Sequence, residues 1–498
     1  MIQVLSRDWL QQHPGAARGT ALLAGASLVG AFAPIGFVPP ALAAPALLIH
    51  LWLTAARARD AAWIGFAFGM GLFLTGVSWV YISLSVFGGM PAPVAAFATA
   101  LYCAFLSWPL ALAGYLQHRL RTAEILRIVC VIPALWMFAE MLRGLGYTGF
   151  PWLALGYAST DTPLAGFAPL TGVYGLSLLT MLCAGLLLLS FRRSTTVIAV
   201  SLLALLLGGG ALLRMIEWTQ PSGAPLAASV LQGNVGQDMK FNPDHFAKTL
   251  DTYARLASGS RAKLIVLPET AIPRFLDRID PGYLAGLDAV AKRNGGDLLL
   301  GVPYRTGPGD FFNSVVSLGV SPPQVYSKVH LVPFGEFVLP GFNWLMGALQ
   351  VPMSDFSSGA KTQRPLEVAG QRVAVNICYE DVFGEEIIRP LPEATLLVNV
   401  SNMAWFGDSL APGQHLQMAR MRTIETGRAM LAATNTGMTA AIDRGGHVLA
   451  QLPQYTEGRL DVEVRGYTGA TPFVQVGNWL AVALAALLLA LSAALRKR

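Results

Sequence analysis

The chain has 498 residues, of which 54% are hydrophobic and only 13% charged, with a mean hydropathy of +0.50. That length has room for two or three domains, and that composition excludes an ordinary water-soluble protein. The net charge of +6 does not mark a nucleic-acid binder, because the arginines end apolar runs and form no stripe interleaved with aromatics.

Charge is unevenly placed, with long charge-free runs before residue 217 and after 472 and a normal mix between them. This predicts a membrane domain over 1–216, a globular domain over 217–473 and a membrane return with a short tail over 474–498. The first apolar segment, 19–38, is followed by Ala41-Leu42-Ala43, which looks like a signal-peptide cleavage site. The long polar leader and the apolar segments that follow at once argue instead for a first membrane helix. Further spans are expected at 40–56, 61–86, 92–117, 127–143, 164–191, 196–216 and 474–495, making eight. Several exceed the ~20 residues needed to cross ~30 Å of hydrocarbon. Pro34, Pro39 and Pro40 crowd the junction of the first two.

With the N-terminus inside, Arg7, Arg18, Arg57, Arg59, Arg119, Arg121, Arg127, Arg192, Arg193, Arg496, Lys497 and Arg498 all fall on the inner side. The outer side holds only Arg143 and Arg214. Positive charge collects in cytoplasmic loops, so both termini are expected inside and residues 217–473 outside. Trp218 and Trp479 flank that block, where amphipathic rings anchor at an interface. Glu140 and Arg143 end the fifth span as an i, i+3 pair, either neutralising one another or meeting a lipid head group. The loop Gly149-Phe150-Pro151-Trp152-Leu153 is expected to lie in the interface.

The globular block alternates strand and helix signals. Strands are expected at 227–235, 263–267, 297–303, 313–319, 325–330, 371–378, 395–401, 430–435, 438–443 and 447–452, and helices at 243–258, 281–293 and 412–428. Continuous apolar strands imply sheets covered on both faces, hence a layered α/β domain. Residues 337–358 break the pattern. They are apolar, carry Pro340 and Gly341 and lack alternation, as a lid or a membrane-dipping loop would.

Cys103, Cys130 and Cys183 lie in apolar segments, which leaves Cys378 alone in the globular block. A packed core thiol is the plain reading of such a residue. Two other strand ends weigh against it. Glu269 closes Ile-Val-Leu-Pro-Glu-Thr, and Lys328 lies in Val-Tyr-Ser-Lys-Val-His. A thiol of ordinary pKa about 8.5 needs a neighbouring base before it can attack a carbonyl, and a fixed ammonium can steady the oxyanion that forms. Glu336, eight residues after Lys328, is a second acid that can orient the lysine. The seven histidines show no metal-ligand spacing and no phosphate-binding glycine loop is visible, so neither a metal nor a cofactor is expected.

These three segments resemble the Glu-Lys-Cys triad of the nitrilase superfamily, whose fold is an α-β-β-α sandwich. With Leu331-Val332-Pro333-Phe334-Gly335-Glu336, Asn399-Val400-Ser401-Asn402, Ala404-Trp405-Phe406-Gly407-Asp408-Ser409 and the membrane stretches 76–81 and 149–153, the chain is similar to the apolipoprotein N-acyltransferase family, the membrane-bound branch. The resemblance implies a polytopic helical membrane domain plus a nitrilase-like domain on the periplasmic face of a bacterial inner membrane. It implies Glu269 as general base, Lys328 as oxyanion stabiliser and Cys378 as nucleophile, with Glu336, Tyr379, Glu380, Phe241 and Trp405 supporting activity or contacting substrate. The implied partners are a phospholipid acyl donor, a diacylglyceryl apolipoprotein acceptor and the bilayer. Two positions depart from the family pattern. Phe241 stands where a tryptophan is expected, losing an indole N–H, and Met403 stands where an acid is usual. Two rivals remain: a membrane-tethered amidase using the same triad on small amides, and a transporter or scaffold, which the scarcity of intramembrane charge disfavours.

Overall fold

The computed structural model describes residues 7–120, 122–146, 149–240, 243–307, 309–338 and 355–495. They form two compact units, Met1–Tyr81 with Ala92–Glu217 and Gln475–Arg498, and Ile82–Pro91 with Trp218–Val474. The segment Ile82–Pro91, expected to end a membrane span, thus groups with the globular unit.

In the first unit, four helices among the described residues are long and apolar enough to cross a membrane: Ala92–Arg119, Glu124–Arg143, Pro163–Ser190 and Thr196–Leu213. The span expected at 61–86 is interrupted. Its helix, Ala58–Gly76, stops at Val77 and restarts at Trp79 with a 53° bend. The three other expected spans contain helices Pro14–Leu28, Pro40–Thr54 and Trp479–Leu495 of 15, 15 and 17 residues, below the ~20 of a straight crossing. Glycines let these helices approach closely, as in lipid-embedded packing. A Cβ on Gly25 would lie 1.9 Å from the Phe68 carbonyl oxygen, and one on Gly71 1.9 Å from that of Leu22.

The loop 149–153, expected at an interface, is packed inside the helical unit. Phe150, Trp152 and Leu153 are buried, with the Trp152 ring stacked on Phe150 at 5.8 Å and tilted against Trp79 at 5.1 Å. Glu140 and Arg143 hold it there. Glu140 Oε1 accepts hydrogen bonds from the Leu155 N–H and the Trp136 indole N–H, both at 2.8 Å, and Arg143 donates to the Phe150 carbonyl at 2.7 Å.

The second unit contains two six-stranded sheets. The first uses β1 (Thr219–Gln232), β2 (Leu264–Val266), β3 (Asp297–Gly307), β4 (Asp310–Gly319) and β5 (Val325–Ser327). The second uses β6 (Leu366–Val368), β7 (Gln371–Ile377), β8 (Leu396–Ser401), β9 (Met430–Thr434), β10 (Ala440–Ile442) and β11 (Val448–Gln451), while β12 (Gly458–Gly469) returns to the first. The strand orders are β12-β1-β2-β3-β4-β5 and β11-β10-β9-β8-β7-β6. Each sheet has a parallel centre, β1-β2-β3 and β7-β8-β9, flanked by antiparallel strands.

Alternate side chains of these strands build separate cores, as the two-residue period of a strand requires. Val230, Leu264, Val266 and Leu299 meet Val375, Ile377, Val398 and Val400 between the sheets. Ile265, Leu298 and Leu300 face the helices Pro243–Ser258 and Pro281–Arg293 through Tyr253, Leu256 and Leu287. Ala374, Leu397 and Met430 face Ala419 on the helix Ala411–Thr426. The outcome is the four-layer α-β-β-α sandwich. Two strands escape the sequence reading, β6 and β12. β12 alternates buried Leu460 and Val464 with exposed polar residues, an edge-strand pattern weaker than the wholly apolar runs.

Candidate active site

In a parallel sheet the chain leaves each strand into a loop on one side, and reactive groups collect there. Glu269 follows β2 after Leu267-Pro268, Lys328 follows β5 directly, and Cys378 follows β7. Cys378 takes φ 52° and starts the tight turn Cys378–Val382. A β-carbon-bearing residue in that region is uncommon and costs roughly 1–3 kcal/mol. The strain is a strand-to-turn elbow that lifts the thiol out of the sheet.

Glu269 and Lys328 are both buried, 7% and 1% exposed. Glu269 Oε1 lies 3.5 Å from Lys328 Nζ, and its Oε2 accepts the Asn402 N–H at 2.9 Å. Lys328 Nζ also donates to Glu336 Oε1 at 2.9 Å and lies 2.8 Å from its Oε2. Asn313, on β4, ties the two acids together: its amide donates to Glu269 Oε1 at 2.7 Å and to Glu336 Oε1 at 2.8 Å. The lysine backbone is fixed by the same residue, since the Lys328 N–H donates to the Asn313 carbonyl at 2.8 Å.

Burial would discharge Lys328, but the Glu336 and Glu269 carboxylates outweigh it and hold the ammonium above its ordinary range. The Cys378 thiol moves the other way. Burial first, then the Glu269 carboxylate, pushes it well above an ordinary thiol, with Lys328 opposing. Cys378 is therefore a protonated thiol at rest and needs a base, and of the carboxylates that act on it Glu269 acts most strongly. A half-buried thiol, a carboxylate and a charged ammonium can together form and discharge a thioester.

The supporting residues separate by position. Glu336 touches Lys328 directly and accepts the Val332 N–H at 2.8 Å. Glu380 lies beneath the elbow. Its Oε1 accepts the N–H groups of Val329 at 2.6 Å and His330 at 3.2 Å, its Oε2 accepts the Ile377 N–H at 2.7 Å, and the Tyr326 hydroxyl donates to both oxygens. It staples the lysine segment to the cysteine segment, and burial pushes its carboxyl up to about 7. Tyr379 packs edge-on against Phe383 at 5.2 Å and His330 at 5.8 Å. Trp405 sits on the turn Met403–Phe406; its carbonyl accepts the Ser83 hydroxyl at 2.8 Å and its ring meets Phe87 edge-on at 6.1 Å. Met403 is buried in the same turn. Phe241 lies outside the described residues, as do 339–354 of the expected lid.

Several site residues escaped the sequence reading. Asn313 stood in it only as the start of a strand, although a polar side chain in an otherwise apolar buried strand is itself a signal. Asn399, read there only as part of a family motif, donates to the Asn376 side-chain oxygen at 2.5 Å and the Cys378 carbonyl at 3.2 Å. Lys240 is the third. It is buried, donates to the Glu269 carbonyl at 3.2 Å, and burial lowers it to about 8 against the pull of Glu269 and Cys378.

Comparison with known proteins covers both units. Residues 24–186 match the model of the apolipoprotein N-acyltransferase N-terminal domain, and 227–473 match that of carbon-nitrogen hydrolase. A protein of Nitrosomonas europaea named apolipoprotein N-acyltransferase is 48% identical over 469 residues, 93% of this chain and 94% of that one. Those of Ralstonia nicotianae and Methylococcus capsulatus carry the same name at 44% and 43% identity, covering 95% and 96% of this chain and 93% and 96% of theirs. This chain therefore belongs to the apolipoprotein N-acyltransferase family, acyltransferases built on a carbon-nitrogen hydrolase domain.

Proposed function

We propose that this protein moves a fatty acyl chain from a membrane phospholipid, through a thioester on Cys378, to the α-amino group of the S-diacylglyceryl cysteine that begins an apolipoprotein. The observation that carries this reading is the buried Glu269–Lys328–Glu336 cluster around the raised Cys378 thiol, in a chain that also bears long apolar helices. The relatives' shared name supplies the acceptor class.

In the first step Glu269 takes the Sγ proton while sulfur attacks the ester carbonyl carbon. The oxyanion is met by the Lys328 ammonium; losing one such donor typically costs ~10²–10³ in rate. Collapse breaks the ester C–O bond, and the lysophospholipid oxygen leaves with the proton held by Glu269. In the second step the acceptor amine attacks the thioester carbonyl and gives its proton to Glu269. The C–S bond breaks, the amide forms, and the proton returns to sulfur. Both substrates are lipids, which accounts for a thiol domain carried on apolar helices.

The same reading sets the protein in a bacterial inner membrane, with domains at 1–216, 217–473 and 474–498. It has eight spans, with the shorter helices completing their crossing through flanking residues or local bilayer thinning, both termini in the cytoplasm and the Cys378 domain on the periplasmic face. The charge asymmetry of the loops supports that orientation.

Intact-protein mass after incubation with phospholipid vesicles tests the chemistry. Wild type gains one acyl mass, hydroxylamine removes it, and Cys378→Ala gains none. A Cys378→Ala protein that still carries the acyl mass overturns the assignment. Ammonia released from small amides, without acyl transfer, indicates the amidase chemistry instead.

A further inference from the structure

The ladder between β7 and β8 ends at Ile377 and Val400, so the carbonyl of the strained Cys378 lies beyond the sheet's own hydrogen bonds. Two side chains reach it: Asn399 Nδ2 at 3.2 Å and His415 Nε2 at 3.3 Å. His415 is buried on the helix Ala411–Thr426. The same Nε2 lies 3.1 Å from Asp381 Oδ1, three residues past the cysteine. Two oxygens this close to one ring nitrogen require that nitrogen to carry hydrogen. Asp381 is 0% exposed, and the His415 Nε2–H lies within reach of both its carboxylate and the cysteine carbonyl. A carboxylate so deeply buried needs a cation beside it. Burial lowers the ring's proton affinity, but Asp381 outweighs it and His415 stands above an ordinary histidine. Glu269 also faces the ring, while Glu269, Lys328, Glu336, Asp381 and Lys240 surround the thiol.

We propose that the buried His415–Asp381 pair is a positioning device for the nucleophile: the imidazolium clamps the carbonyl of the strained Cys378, and Asp381 keeps that ring charged and in place. This rests on Cys378 being the acyl carrier. A histidine serving only to fill the core would need no acid in the nucleophile's own turn.

The test uses full-length protein in detergent, with iodoacetamide alkylation of Cys378 followed by peptide mass and acyl-enzyme formation with phospholipid vesicles, each from pH 5.5 to 9. His415→Gln is expected to slow both reactions by up to roughly 10²-fold, the cost of an ångström-scale misplacement. Asp381→Asn removes the carboxylate that offsets burial, so His415 should lose its proton more readily and both rates should fall at a lower pH than in wild type. The double variant His415→Gln/Asp381→Asn carries no buried charge; it should recover the wild-type Tm yet stay slow. Recovery of both Tm and rate makes the pair mere charge compensation and overturns the proposal, as does a wild-type pH profile in Asp381→Asn. Should His415→Gln fail to fold, these two variants decide. If wild type takes no acyl mass while alkylation still responds to the variants, the acyl-carrier reading fails and the positioning role stands.

Discussion

Asn313 is the residue on which the charge arrangement turns, because it donates to both carboxylates that share Lys328. Asn313→Ala leaves two buried acids with one fewer donor each, and removing a partner from buried groups costs about 1–3 kcal/mol apiece. Acyl-enzyme formation in that variant should fall by roughly 10–10²-fold, and Asn313→Asp should fall further by adding a third negative charge; single-turnover mass spectrometry reads both. Glu380 makes a different prediction. Its folded carboxyl is raised to about 7 above an unfolded value of about 4.3. The folded state therefore binds more protons between those values. The contribution is fully present below the unfolded value and is lost as pH rises through about 7, amounting to roughly 4 kcal/mol. Urea or thermal unfolding at pH 4.5 and 8 should show this slope in wild type and lose it in Glu380→Gln. The sequence located Cys378, Glu269, Lys328, Glu336 and Glu380, and of their contacts suggested only that Glu336 orients the lysine. Glu380 reads there as supporting activity or contacting substrate, and the structure adds that four donors hold it beneath the elbow.

Strands and helices were legible where burial is complete on both faces. β2, β8 and β9 are wholly buried, so their sequences are largely apolar, and the helix Pro281–Arg293 is capped by Asp280 accepting the Tyr283 N–H at 2.9 Å, a local signal. β12 was not legible, because a strand paired on one side and half exposed mixes Arg459, Asp461 and Glu463 into its pattern. The same difference in burial sets the stability effects. Leu264→Ala, at the centre of the core between the sheets, should cost about 2–5 kcal/mol. Leu449→Ala, half exposed on β11, should stay within about 0.5 kcal/mol. Thermal unfolding of both variants checks the contrast. The interrupted helix at Val77 lay outside sequence reasoning for another reason. Residues 61–86 are apolar throughout, and hydropathy does not distinguish a straight helix from a bent one.

For the whole molecule, the loop charges predict sidedness, and cysteine labelling tests it. In a Cys378→Ser background the other three cysteines are buried. Asp161→Cys should then react with a membrane-impermeant maleimide in intact spheroplasts, and exposed Ser194→Cys only after lysis. The reverse pattern would invert the proposed topology. Composition, loop charge and apolar periodicity by themselves determined that the chain has a lipid-facing part and a layered α/β part, since these follow from which residues water tolerates. They also set Glu269, Lys328 and Cys378 at strand ends, while the roles proposed for them came from the family resemblance. Only the tertiary structure decided that Glu269, Lys328 and Glu336 share one buried cluster through Asn313. Only it put His415 against the Cys378 carbonyl with Asp381 beside the ring, and packed 149–153 inside the helical unit. Those outcomes depend on contacts between residues far apart in the chain, which local pattern does not encode.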